Sequence, residues 1–211
     1  MDIGSNKVVQ MKNTVFLFDS GHGGMIDGLY QTDPYIGKYH RFSNGEVAYE
    51  GVINRLIKKK VMDLLTTAGI RSIDICPSEL DLPLKLRVQY ANLLIHEYHD
   101  CVLISLHSNA GGGKGFEIYT TPGRTKSDEY ATAFAKEFSN AFPEIPVRAD
   151  YADGDVDKEN QFYILRHVAC PAILPEFLFY DNLQDWNLLK NPDIQRRYAE
   201  MILKFVQAVT I

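Results

Sequence analysis

The chain has 211 residues, 45% of them hydrophobic, enough for one substantial core and for a single domain spanning residues 1–211. Its formal net charge is -5, and its densest basic run is the triplet Lys58-Lys59-Lys60, which excludes the basic face of a nucleic-acid binder. Three cysteines without C-x-x-C spacing exclude a disulfide framework and a cysteine metal cluster; Cys101 and Cys170 border apolar runs and read as small buried thiols.

Met1–Lys12 is polar and mixed, with no apolar run of signal-peptide length, and no stretch reaches the roughly 18 apolar residues that span a bilayer. The expectation is a protein made in the cytoplasm that does not insert into membrane. Thr14–Phe18 is a β-branched and aromatic run, read as a buried strand. It leads into Asp19-Ser20-Gly21-His22-Gly23-Gly24, where glycines let the chain turn sharply and present an imidazole beyond the strand. Residues 23–49 form a long irregular insert, too long for a plain connection. Its aromatic residues Tyr30, Tyr35, Tyr39 and Phe42, with His40, suit either a cleft wall or a small satellite core.

Apolar residues at offsets of three and four place a helix over Gly51–Ala68, with Glu50 in its first turn and the lysine triplet on a solvated face. Arg71–Cys76 alternates as a strand, and Leu84–His99 repeats the helical spacing. The segment His96-Glu97-Tyr98-His99 spaces its histidines three apart rather than the four of a metalloprotease helix, so it reads as a helix end. Val102–Leu106 is an apolar strand followed by His107, Ser108, Asn109 and a glycine run. That run leads to the strand Gly115–Tyr119 and lacks the spacing of a phosphate loop. Ser127–Phe142 reads as a helix capped by Ser127. The aspartates 153, 155 and 157 lack a calcium loop's placed glycine and terminal glutamate and read as a solvated loop. A short strand, Ala172–Leu174, precedes Pro175-Glu176, and Pro192 opens a closing helix to Val209. Strands alternating with helices imply an α/β fold: a mixed, mostly parallel sheet with helices on both faces.

Two histidines beyond strand ends can converge, and His₂Glu is a known catalytic zinc set. Glu50 and Glu46 both lie where a carboxylate ligand could sit. Glu176, set among apolar residues, is costly to bury ionised, which suits either a proton-transfer group or a glutamate salt-bridged to Arg166.

These segments together resemble the type 3 family of zinc-dependent N-acetylmuramoyl-L-alanine amidases, including phage-type endolysins. The resembling segments are VFLFDSGHGG at Val15–Gly24, Gly45 through Glu50 to Asn54, Leu86-Arg87-Val88 with Ala91-Asn92, ISLHSNA at Ile104–Ala110, Gly115-Phe116-Glu117, Leu165-Arg166 and PAILPE at Pro171–Glu176. The resemblance implies Zn²⁺ held by His22, Glu50 and His107, favours Glu50 over Glu46, and makes Glu176 the catalytic acid/base. It implies a peptidoglycan substrate cut between N-acetylmuramic acid and L-alanine. Asn109 and Arg166 are candidates to steady either the ligands or the stem peptide, with a merely structural role as the alternative. The longer insert, Cys76-Pro77-Ser78-Glu79 before the second helix, and Pro175 before Glu176 depart from the family pattern. Two other readings remain: a zinc peptidase cutting within stem peptides, and a non-catalytic wall-binding module. The lack of a leader-like N-terminus points to a phage or prophage lysin; the sequence does not address oligomeric state.

Overall fold

The computed structural model describes residues 13–33 and 35–210, so the polar Met1–Lys12 segment lies outside it. Strand β1 (Val15–Ser20) is buried along its whole length: Val15–Phe18 are an unbroken apolar run, and Asp19 and Ser20 continue the strand as buried polar residues. Its side chains alternate: Phe16 and Phe18 join one core, Val15 and Leu17 the other. The insert is not irregular throughout. It folds as two small hairpins, β2 (Met25–Ile26) with β3 (Leu29–Tyr30) and β4 (Tyr39–Arg41) with β5 (Val47–Tyr49).

Helix α1 (Glu50–Thr67) follows directly, then β6 (Ser72–Asp74), α2 (Leu84–Tyr98) and β7 (Cys101–Asn109). Next come β8 (Phe116–Thr120), α3 (Lys126–Ala141), β9 (Lys158–Glu159), α4 (Tyr163–His167), β10 (Ala172–Phe179), α5 (Leu183–Leu189) and α6 (Pro192–Val209). The main sheet has the order β6-β1-β7-β10-β8-β9. Pairing is parallel from β6 through β10 and between β8 and β9; only β10 against β8 is antiparallel.

Helices cover both faces. One core holds Phe16, Phe18 and Ile104 with residues of α1, α3 and α6, such as Ile57, Phe134 and Phe205. The other holds Leu17, Leu103 and Leu174 with Val88 and Leu94 of α2 and Ile164 of α4. The result is one α/β domain, as the alternation of patterns implies.

Several local expectations change. Lys58 is not on a solvated face: it is buried and donates to Asp74 Oδ1 at 2.7 Å and to the Cys76 carbonyl at 2.8 Å. The α3 cap is Thr125, whose side chain accepts from the Ser127 N–H while Asp128 reaches back to the Thr125 N–H. A paired threonine and acid three residues on satisfy two free amides, where Ser127 alone would satisfy one. Cys101 is buried as expected, but Cys170 is only half-buried. Asp157 is buried rather than solvated, and accepts from the Thr120 hydroxyl at 2.5 Å. The glycine run is held by the chain's own acid: the Gly111 and Gly112 amides both donate to Asp181.

Candidate metal centre

The period of two along a strand sets the site. In β7, residues 101 and 103 face the core formed with α2 and α4, so residue 107 faces the same side. In β10, residues 172 and 174 face that side, which carries Glu176 with them. The register pairs Glu176 directly with His107 across parallel strands. Both residues were expected just beyond their strands. Both instead lie inside them, because β7 runs to Asn109 and β10 to Phe179. Their positions are therefore fixed by the sheet ladder rather than by loops.

His22 reaches the same place from the turn after β1, in the left-handed conformation with φ +64°. Non-glycine residues rarely adopt it, and here it is braced: Arg55 donates to the His22 carbonyl, and Asn54 Nδ2 donates to the Gly21 carbonyl at 3.3 Å. A Cβ at Gly21 would collide with the His107 ring, and a Cβ at Gly51 would collide with the Gly23 carbonyl. Glycine at both positions lets the turn, β7 and α1 close on each other. Asn54 also accepts from the Ser108 hydroxyl at 3.1 Å, tying α1 to β7.

Glu50 heads α1 and is buried, with His107 Nδ1 at 3.0 Å from Oε1 and His22 Nε2 at 3.5 Å from Oε2. The two imidazole rings meet edge to face at 5.3 Å. Glu46 is elsewhere, accepting from Trp186 Nε1 and from Lys190. One donor atom from each of His22, Glu50 and His107 lies within 4.8 Å of the others, so the group could hold a metal ion. Two of those atoms, His22 Nε2 and Glu50 Oε2, are buried without a hydrogen-bond partner among the described residues. Buried polar atoms are normally paired, and two nitrogens with one carboxylate are the donor set of a catalytic zinc site. The residues fit a metal.

Electrostatics separate the four groups. Burial lowers the His22 pKa below the ordinary imidazole value, favouring the neutral, ligating form. Burial opposes charge on His107 too, but the Glu50 and Glu176 carboxylates outweigh it and raise its pKa. Burial alone would raise the Glu50 carboxyl; its hydrogen bond with His107 and the nearby His22 and Lys38 charges hold it low instead. At Glu176, burial, helped by the Glu50 carboxylate, pushes the carboxyl up to about 8, and the His107 and Lys38 charges offset burial only in part. The Glu176 Oε2 is buried without a hydrogen-bond partner among the described residues.

Arg87 on α2 is a structural support that the motif alone did not explain. It is buried, donating to Asp19 Oδ1 at 3.0 Å, to the Ser20 carbonyl at 2.8 Å and to Asp81 Oδ1 at 2.7 Å. Burial would raise the Asp19 carboxyl, but the Arg87 charge and the Ser105 hydroxyl keep it ionised. Arg87→Met leaves Asp19 buried and unpaired, and should cost about 3–5 kcal/mol in denaturant unfolding. The double variant with Asp19→Asn should recover part of it. An unchanged midpoint in the single variant would remove Arg87 as the brace of the β1 turn.

The site opens into a cleft of about 550 Å³, with His22, His107, Glu176 and Lys38 on its surface and Ile36, Leu82, Phe162 and Leu174 among its apolar lining. Asn109 is not in that lining; its amide donates to Glu117 Oε2 at 2.7 Å. Arg166 is exposed in a separate groove with Thr121 and Gln161, and it forms no pair with Glu176. The insert splits between its two readings. Phe42 is buried near Trp186, and Tyr30 is spent on hydrogen bonds to the backbone of Lys38 and Gly51. Gln31, Asp33, Ile36 and Lys38 of the same insert line the cleft. Asp81, 3.9 Å from His22 Nδ1, and Lys38, 3.6 Å from Glu50 Oε2, are site neighbours that sequence reasoning missed. No motif spacing marks either one.

Three convergent donors that could hold a metal lie beside Glu176, whose Oε2 has no hydrogen-bond partner among the described residues, toward the carboxyl ends of parallel strands; a metal-assisted hydrolase site needs such an arrangement. The family described as N-acetylmuramoyl-L-alanine amidase (Amidase_3) matches residues 17–208, and the chain belongs to it. The sporulation-specific N-acetylmuramoyl-L-alanine amidase of Bacillus subtilis (strain 168) is 36% identical over 87 residues, covering 41% of this chain and 31% of that protein. A solved N-acetylmuramoyl-L-alanine amidase from Clostridium difficile 630 is 25% identical with a TM-score of 0.72, covering 92% of this chain and 95% of that one. The catalytic domain of CwlV from Bacillus (Paenibacillus) polymyxa var. colistinus shares the fold at 22% identity and a TM-score of 0.69, covering 93% and 97%.

Proposed function

We propose that this chain is a zinc-dependent amidase, folded as one catalytic domain, that hydrolyses the bond between N-acetylmuramic acid and L-alanine in peptidoglycan. The observation that carries the reading is Glu176: a half-buried carboxylate, with one oxygen buried and without a hydrogen-bond partner among the described residues, set by strand register beside His107 and lining the same cleft as His22 and His107. Family membership supplies the substrate class. His22, Glu50 and His107 would hold the ion. Bound there, zinc supplies Lewis-acid polarisation and a hydrolytic nucleophile at neutral pH.

The chain's own residues do the rest. Glu176 accepts the proton of the attacking water and returns it to the leaving amine nitrogen; its raised proton affinity suits a group that must both take and give a proton. Asn54 and Arg55 hold the His22 turn so that its ring cannot swing out of line. The apolar lining of the cleft limits water around the reacting atoms. No described helix is long and apolar enough to cross a membrane, and peptidoglycan is the macromolecular partner in this reading.

Mass analysis of purified walls digested by the zinc-loaded protein tests the proposal. Released peptides should carry a new L-alanyl amino terminus, and the glycan strands should be left bare. New termini inside the stem would make it a peptidase instead, and wall binding without release would make it a non-catalytic module.

A further inference from the structure

We propose that Lys38 forms a carboxylate-binding subsite, which selects substrates carrying a free carboxylate on the peptide close to the scissile amide. The inference rests on the amidase reading and adds a specificity residue from the insert.

The backbone of Lys38 is clamped at the site. Its φ is +59°, and its carbonyl accepts both from the Tyr30 hydroxyl at 3.1 Å and from the Glu50 N–H at 3.1 Å. The backbone of the residue is therefore pinned to the first turn of α1, which keeps the site within reach of its ammonium group. The side chain is only partly exposed, and Nζ lies 3.6 Å from Glu50 Oε2. That is an ion-pair distance but too long for a good hydrogen bond. No described residue accepts a hydrogen bond from Nζ, so its three N–H groups remain available to the cleft.

Lys38 is distinct among the charges around the cleft. Arg87, the other cation in the lining, is spent on Asp19, Asp81 and the carbonyls of Ser20 and Leu82. The remaining charged lining residues that titrate as acids are Asp33, Asp81 and Glu176. A divalent ion on Glu50 would take over the charge that now faces Lys38, leaving the ammonium with surplus attraction for an incoming anion. The chain is acidic as a whole, so attraction of an anionic polymer must be local. A lysine is a compact point charge, suited to one carboxylate oxygen rather than to bidentate recognition.

The test compares a muramyl dipeptide whose D-glutamyl residue has its γ-carboxyl blocked as the methylamide and its α-carboxylate free with the same compound as the α-carboxamide. The zinc-loaded wild type should prefer the acid by about tenfold in kcat/KM, mainly through KM. Lys38→Met should bring the acid-to-amide ratio close to one, with zinc content unchanged, and Lys38→Arg should retain most of the preference. A binding measurement needs no turnover: zinc-loaded Glu176→Ala should bind L-alanyl-D-glutamate γ-methylamide about tenfold tighter than its α-carboxamide, and adding Lys38→Met should remove the difference. Equal wild-type rates and affinities for acid and amide would overturn the subsite. So would an equal fall in kcat on both substrates in Lys38→Met, which would place Lys38 at the reacting centre instead. If neither compound is cut, the amidase reading fails, and the binding measurement still decides whether Lys38 holds a carboxylate.

Discussion

Glu176→Gln should lower kcat for muropeptide hydrolysis by about 10²–10⁴-fold while bound zinc stays near one ion per chain. The two readouts separate because the three-ligand group is complete without Glu176. Glutamine keeps the size of the side chain and its place in the β10 register, but it cannot take a proton from water. Neutralising a carboxylate whose Oε2 is buried with no hydrogen-bond partner among the described residues relieves a desolvation cost, so the variant should unfold at the same temperature as wild type or slightly above it. Zinc analysis by mass spectrometry, thermal unfolding and wall release on the same preparation check all three. Loss of zinc together with activity would make Glu176 a ligand and end its assignment as the proton carrier.

His107→Ala should show the opposite pattern: metal lost along with activity. His107 touches both other members of the group, 3.0 Å from Glu50 and edge to face with His22. Alanine removes one of three donors and leaves only His22 and Glu50, 3.5 Å apart. A chain that binds zinc only when folded gains about 4 kcal/mol when free metal exceeds Kd by roughly 1,000-fold. For a domain of this size the corresponding drop in melting temperature on losing the ion is on the order of 10 °C. Chelator should impose the same drop on the wild type, with recovery on added Zn²⁺, and should have little effect on His107→Ala. Near-stoichiometric zinc in His107→Ala would remove His107 from the ligand set. Gly21→Ala is a useful companion, because its Cβ would collide with the His107 ring and should weaken zinc binding without deleting any donor.

Lys38 and Arg87 show why some of the site is invisible in one dimension. Arg87 lies in a recognisable motif, Leu86-Arg87-Val88, yet helical periodicity alone places apolar Leu86 and Leu93 on the buried stripe. The structure leaves those two exposed and buries Arg87, because Asp19 waits at the end of β1 to pair with it. A charge can be turned inward only where a partner meets it, and the partner is 68 residues away. Lys38 carries no motif at all, and its role depends on how the insert folds back over α1. Asn109 and Arg166 illustrate the converse. Both lie in segments that resemble the family, but strand register commits Asn109 to Glu117, and Arg166 is exposed in a different groove.

The layer architecture, and the candidates His22, Glu50 and His107 that the fold brings together, could be read from the sequence. Apolar runs and helical spacing recur in alternation, and local patterning of that kind reports burial directly. The resemblance across Val15–Gly24, Gly45–Asn54, Ile104–Ala110 and Pro171–Glu176 singled out His22, Glu50, His107 and Glu176. What only the tertiary structure decided is their geometry and their neighbours. Strand pairing put Glu176 opposite His107 within the sheet rather than in loops beyond it, the insert's hairpins brought Lys38 to Glu50, and the Arg87 pair turned a charged residue into core. Each of these rests on contacts between residues far apart along the chain. Local composition carries no record of such contacts, because the desolvation and pairing energies that select them arise only when the chain has closed on itself.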